Sequence, residues 1–152
     1  MEVKIKRLSK SAVITKYAHQ TDAGLDLTAV SKWEDEFGNV CYGTGLAFEI
    51  PEGYVGLIYP RSSNYKQSLL MSNAVGVIDS GYRGEVVMKY RKDYQMQRGC
   101  ENQMVHLSEG EYEIGERMAQ MIIMPYPKIE FVEVEELSDG ERGVHGYGST
   151  GK

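Results

Sequence analysis

Hydrophobic residues in this chain come in short runs cut by glycine, and no window sustains a helical period over three turns. Apolar and polar positions alternate at Val3–Ile5. They alternate most clearly at Ile129, Phe131, Val132 and Val134, where glutamates fill the other face. A period of two predicts half-buried strands. Leu46–Ile50, Tyr54–Tyr59, Glu85–Tyr90 and Met118–Met124 read as further strands, rich in aliphatic and aromatic residues. Between them lie turn signals at Glu52-Gly53, Ser80-Gly81, Glu109-Gly110 and Ile114-Gly115. One short helix is predicted just after Arg61, where SSNYKQS supplies capping residues and then helix-tolerant ones. Many short strands at even spacing point to an all-β sandwich, jelly roll or barrel.

The 152 residues fit one domain, large enough to bury a core without disulfide or metal staples. The domain is expected over residues 1–137. From 138 to 152 the chain turns glycine-rich and loses its apolar content, which predicts a flexible C-terminal arm. Net charge is −5, from 17 basic and 22 acidic residues. With no basic run, broad nucleic-acid binding is not expected. No stretch approaches the about 18 apolar residues of a membrane span. The N-terminus MEVKIKRLSK lacks the apolar core of a signal peptide. Cys41 and Cys100 stand apart from any CxxC or zinc-finger spacing, as two reduced thiols of a cytoplasmic protein would.

The arm carries GYGSTG (146–151), which fits G-x-G-x-x-G, and GYGSTGK, which fits the start of a phosphate-binding loop. Both motifs work by resting phosphates on a helix that follows a strand, and here the chain ends at Lys152. Local chemistry survives: glycine backbone that wraps an anion, donors at Arg142, Ser149 and Thr150, and a flat ring at Tyr147.

Four other segments break the β pattern with polar, glycine-bearing sequence: TDAGLDL (21–27), PRSSN (60–64), GVIDSGYRG (76–84) and GERMAQ (115–120). Each alone has an ordinary structural explanation. Asp26 can be a turn carboxylate, PRSS a helix cap, Asp79 the cap of the turn at Ser80-Gly81, and Gln120 a partner of sheet-edge backbone.

In order and spacing, however, AGLDL, PRSS, GVIDSGYRG, GERMAQ and RGVHGYGSTG resemble the five motifs of the trimeric dUTPase family, over residues 21 to 151. The resemblance implies a jelly-roll-like β barrel and hydrolysis of dUTP to dUMP and pyrophosphate. That reaction keeps uracil out of DNA and supplies dUMP for dTMP synthesis. It implies that Asp79 activates the water attacking the α-phosphorus, and that Val77 and Ile78 fix its backbone. Tyr82 would pack under the deoxyribose and exclude a 2′-hydroxyl. A hairpin over 73–90 would read uracil by backbone groups, with Asn73, Gly76 and Val87 at the contacts. Arg61, Ser62, Ser63 and Gln120 would hold phosphates. Mg²⁺ would ride on the triphosphate and water, with Asp26 in its outer shell. Arg142, Tyr147, Gly148, Ser149 and Thr150 would close the site. The sites would lie between subunits of a homotrimer.

The sequence departs from the family pattern at Ser63 for glycine, Gly81 for an acid, Glu116 for aspartate, His145 for glycine and Tyr147 for phenylalanine. None removes a chemical role, and His145 is expected to be solvated. The segment 91–105 matches no motif. Two alternatives remain. A dCTP deaminase of the same fold would need a glutamate base on the second strand of the hairpin, where Glu85 is the only acid. A nucleotide-binding regulatory protein would act through partners instead of turnover.

Overall fold

The structure, a computed structural model, describes residues 1–92, 110–141 and 143–144, and the backbone alone at 95–96 and 104–105. In chain order the strands are β1 (Lys4–Arg7), β2 (Leu25–Thr28), β3 (Ser31–Glu34), β4 (Val40–Gly43), β5 (Leu46–Glu49), β6 (Tyr54–Pro60), β7 (Leu69–Met71), β8 (Gly76–Ile78), β9 (Val87–Lys92), β10 (Gln95–Met96), β11 (Met104–Val105) and β12 (Arg117–Pro125). A short 3-10 helix, Ser62–Lys66, follows Arg61 as expected, though Arg61 makes no side-chain cap bond. All pairings are antiparallel. They form two four-stranded sheets, β2-β12-β6-β8 and β3-β4-β9-β7, and the two-stranded pairs β1-β5 and β10-β11. The fold is thus the all-β, jelly-roll-like barrel with one short helix that the sequence suggests.

The strand pattern decides what is inside. In β6 and β12, Gly56, Ile58, Met118, Ala119 and Met121 are buried. From the other sheet come Val40, Tyr42, Met88 and Tyr90. Three tyrosines meet at the centre. The ring centroids of Tyr42 and Tyr90 are 5.9 Å apart, Tyr42 and Tyr112 5.9 Å, and Tyr90 and Tyr112 5.8 Å. Contacts of this kind contribute about 0.5–1.5 kcal/mol each beyond area burial. Two of the hydroxyls anchor backbone or loop: Tyr90 donates to the Met118 carbonyl at 2.8 Å and Tyr112 to Asn64 Oδ1 at 2.9 Å. Burial pushes the Tyr90 and Tyr112 hydroxyls above their ordinary pKa, so both stay protonated donors.

Two expectations need correction. The alternating segment Ile129–Val134 forms no strand among the described residues. Its apolar side chains stand in solvent, with Phe131 93% and Val132 79% exposed, because no strand among the described residues offers it a ladder. Nor is 73–90 a two-stranded hairpin. β8 pairs with β6 in one sheet, whereas β9 pairs with β4 and β7 in the other. The hairpin legs are β7 and β9, and β8 is an excursion between them that crosses to the facing sheet.

The β3–β4 connection is held by Asp35. Its carboxylate accepts from Lys89 Nζ at 2.8 Å, from the Phe37 and Asn39 N–H groups at 3.0 and 2.9 Å, and from Asn39 Nδ2. The Lys89 ammonium above all, then the Asn39 and Phe37 donors, outweighs desolvation and holds the Asp35 carboxyl far below the usual carboxylate range. A carboxyl with a depressed native pKa stabilises the fold fully above its unfolded pKa, and that stability is lost as pH falls below about 4. The urea midpoint is therefore expected to drop on acidification from pH 5 to pH 2. Asp35→Asn should lower the midpoint at neutral pH and flatten the acid decline. Parallel pH profiles for the two proteins would show that Asp35 is not the titrating group.

Candidate functional site

The central sheet brings two of the predicted residues into one row and a third to its end. Asp26 in β2 pairs with Gln120 in β12, and Gln120 pairs with Tyr59 in β6, two residues before Arg61. Directly paired residues of antiparallel strands share a face, so Asp26, Gln120 and Tyr59 point to the same side. Arg61 Nε meets Asp26 Oδ1 at 2.7 Å, and Arg117 Nη1 meets Asp26 Oδ2 at 2.9 Å. Arg61 Nη1 also donates to Ser63 Oγ and to the Arg117 carbonyl, both at 3.3 Å. One partly buried carboxylate thus fixes two guanidinium groups.

Gln120 Nε2 donates to the Pro60 carbonyl at 3.1 Å. A Cβ on Gly24 would stand 2.5 Å from Gln120 Oε1, so the AGLDL glycine leaves the room in which the Gln120 amide sits. These groups line a cavity of about 500 Å³, with Ser62, His19 and Asp22 on its wall. Two arginines, the Ser62 hydroxyl and a primary amide facing one opening suit an oxyanion, and phosphate above others. Sequence reasoning gave Arg117 no role, although it lies inside GERMAQ. Only its ion pair with Asp26 reveals its place.

The remaining predicted residues lie elsewhere. Gly76, Val77 and Ile78 form β8, with Gly76 buried, Val77 60% exposed and Ile78 partly buried. A Cβ on Gly76 would come 3.2 Å from Ile58 Cβ, so glycine permits the close approach of β8 to β6. Asp79 comes next, exposed, and its carbonyl accepts the Tyr82 N–H at 3.0 Å to close a turn. Tyr82 donates its hydroxyl to the Glu85 carbonyl at 3.0 Å. A Cβ on Gly84 would stand 2.6 Å from Tyr82 Cζ, which ties the glycine of YRG to the seat of that ring. Asn73 is exposed on the β7–β8 turn, and Val87 opens β9 opposite Gly43.

The register separates these two groups. Ile78 pairs with Gly56, and β8 runs antiparallel to β6, so Asp79 lies near Val55 while Arg61 lies past the far end. Six residues of extended chain span roughly 20 Å. Within one chain the aspartate and the oxyanion cluster therefore sit at opposite ends of the sheet. Arg142, Tyr147, Gly148, Ser149 and Thr150, and His145 with them, lie outside the described residues.

Asp26 is expected to be structural as well as functional. Asp26→Ala leaves two guanidinium groups without their carboxylate and should cost about 1–3 kcal/mol in urea unfolding. A midpoint unchanged within error would mean that the pair is held by other contacts.

The dUTPase family profile matches residues 10–98 of the chain. The deoxyuridine 5'-triphosphate nucleotidohydrolase of Nautilia profundicola is 40% identical, over 100% of both chains. That of Corynebacterium diphtheriae is 38% identical, over 98% of this chain and 92% of the relative. Among solved structures, the Staphylococcus bacteriophage 80alpha dUTPase with dUPNHPP superposes with a TM-score of 0.80 at 33% identity, covering 99% of both chains.

Proposed function

The chain belongs to the dUTPase family, and on that premise we propose that it hydrolyses dUTP to dUMP and pyrophosphate with Asp79 as the base. The observation that carries the proposal is the convergence of three motif residues, Asp26 of β2, Gln120 of β12 and Arg61 just after β6, on one oxyanion-suited cavity.

Arg61, Ser62, Ser63 and Gln120 hold the triphosphate. The guanidinium, pre-aimed by Asp26, meets charge that grows on the phosphoryl oxygens as the bond to the leaving pyrophosphate breaks. Asp79 orients a water in line with the α-phosphorus and takes its proton. Tyr82 lies against the deoxyribose and selects by sterics against ribonucleotides. Asn73, Gly76 and Val87 present backbone groups to uracil, with Val77 and Ile78 holding the strand. Cytosine there would leave buried polar groups unpaired.

Mg²⁺ would be carried by the triphosphate with most of its water and would supply positive charge against the phosphates. Asp26 suits an outer-shell place, because each of its oxygens already accepts from an arginine and retains a lone pair for a metal-bound water. Residues 1–137 form the hydrolase domain. Residues 138–152 form the arm that closes it, with Arg142 on the γ-phosphate, Tyr147 stacked on uracil, and Gly148, Ser149 and Thr150 around the phosphates.

The active form is a homotrimer with shared sites. Three observations support this. The oxyanion cluster and Asp79 are too far apart to serve one substrate within a chain. The face that carries Asp26 and Gln120 continues as the apolar row Ile122, Leu57 and Val77, of which Leu57 and Ile122 are half-buried and Val77 is exposed. The segment Ile129–Val134 has strand alternation and no ladder among the described residues. The enzyme works in the cytoplasm, a reading supported by Cys41 as a buried free thiol. No described helix is long and apolar enough to cross a membrane. The deaminase alternative fits less well, since the Glu85 carboxylate is already engaged by the Gly45 N–H at 2.7 Å.

Pyrophosphate release measured across all dNTPs and NTPs should show turnover of dUTP alone, and turnover of dCTP with ammonia release would favour the deaminase. Asp79→Asn should lose hydrolysis by orders of magnitude and still bind dUTP. Arg61→Ala should be inactive too, and refolding the two variants together should restore roughly a quarter of the sites by random assortment of subunits. No recovery in mixed trimers would place both groups in one chain. Deleting residues 141–152 should abolish most turnover while the thermal unfolding of the barrel is unchanged, and full activity would remove the arm from the mechanism.

A further inference from the structure

The β3–β4 turn and the β7–β8 turn are far apart in sequence, yet one side chain joins them. Asn39 Nδ2 donates to both oxygens of Asp35, at 3.0 and 3.1 Å. A carboxylate only accepts, so the Asn39 amide is oriented with Oδ1 outward. That oxygen takes the Ser72 hydroxyl at 2.9 Å. The Ser72 N–H is fixed as well, to the Lys89 carbonyl at 2.9 Å, and Lys89 Nζ closes the loop on Asp35. Ser72 is therefore held by its backbone to β9 and by its side chain to the far turn.

Immediately after Ser72 the backbone needs holding. Asn73 leads into Ala74 at φ +56°, the one described non-glycine residue in the left-handed region. The Ala74 N–H returns to the Met71 carbonyl at 3.2 Å and the Val75 N–H to the Asn73 carbonyl at 2.6 Å. Such a turn is strained and persists only when its surroundings determine it. The chain then enters β8 at Gly76.

We propose that Asn39 and Ser72 are positioning residues for base selection, setting the 72–75 turn so that Asn73 and Gly76 face uracil in register. The inference rests on the reading that Asn73 and Gly76 meet the base. Neither Asn39 nor Ser72 belongs to the five motifs, and neither needs to touch the substrate.

The test is steady-state kinetics of the full-length protein with dUTP and dCTP, for Ser72→Ala, Asn39→Ala and their double variant. Each single change should raise KM for dUTP about tenfold while kcat stays within about twofold, the size of one lost hydrogen bond. The dUTP-over-dCTP preference should fall in step. Inhibition by pyrophosphate, which carries no base, should be unchanged. The double variant should be little worse than either single one, since both break the same bond. Ser72→Thr, which keeps the hydroxyl, should recover most of the KM. Unchanged KM in Ser72→Ala, or pyrophosphate affinity falling alongside dUTP affinity, overturns the proposal. Asn73→Pro, which removes the backbone N–H at the proposed contact, separates the two layers when assayed in parallel. If it weakens dUTP while Ser72→Ala does not, the positioning inference fails alone; if it has no effect on KM or base preference, the assignment of the base site fails first. Should Asn39→Ala not fold, Ser72→Ala and Ser72→Thr decide the matter.

Discussion

The seven-residue ladder between β6 and β12, from Ala119 opposite Pro60 to Pro125 opposite Tyr54, sets everything else in place. A slip by one residue would turn Ile58 and Met121 out of the core and Leu57 and Ile122 into it. The ladder also fixes Gln120 beside Tyr59, and through β2 beside Asp26. With the register set, Arg61 has one carboxylate within reach, and Asp26 takes it together with Arg117. The oxyanion cluster is thus a consequence of backbone pairing, with the ion pairs as its final adjustment.

The same ladder sets Asp79 and Arg61 at opposite ends of one sheet. β8 extends the sheet at the end of β6 remote from Arg61, and Asp79 comes directly after it. The outer face between the two ends is apolar at Leu57, Val77 and Ile122. An exposed apolar face on a sheet has a driving force for association, of roughly 25 cal/mol per Å² buried. In the proposed trimer, catalytic geometry and self-association share one cause: the surface that would bring a second Asp79 to the first Arg61 is the surface that water disfavours.

Tyrosine hydroxyls and carboxylates perform most of the long-range fastening. Tyr90 secures β12 beside Gln120, and Tyr112 secures the 3-10 helix behind Arg61–Ser63. Asp35 secures the β3–β4 turn, and Asn39 carries that order to the turn before Asn73. The Asp35–Lys89 pair lies outside the five motifs, and the Asn39–Ser72 bond lies outside them as well. Side chains that support a site escape motif reading, because their effect passes through contacts and not through a local pattern.

Much of this protein was legible in its residues. Alternation and glycine spacing gave the strands at Leu46–Glu49, Tyr54–Pro60 and Arg117–Pro125, since a period of two reports directly on which face is buried. The resemblance assigned Arg61 and Gln120 to the phosphates and Asp26 to the outer shell of the metal before any geometry. Sequence also overreached: Ile129–Val134 has the pattern of a strand and none of the pairing, because alternation records a face meant to be covered and not the chain that covers it. It read 73–90 as a hairpin, because adjacency in sequence does not say which sheet a strand joins. Only the tertiary structure decided that Arg117 shares Asp26, that Asn39 reaches Ser72, and that Asp79 and Arg61 stand apart, for these depend on register between distant strands, which no local run of residues encodes.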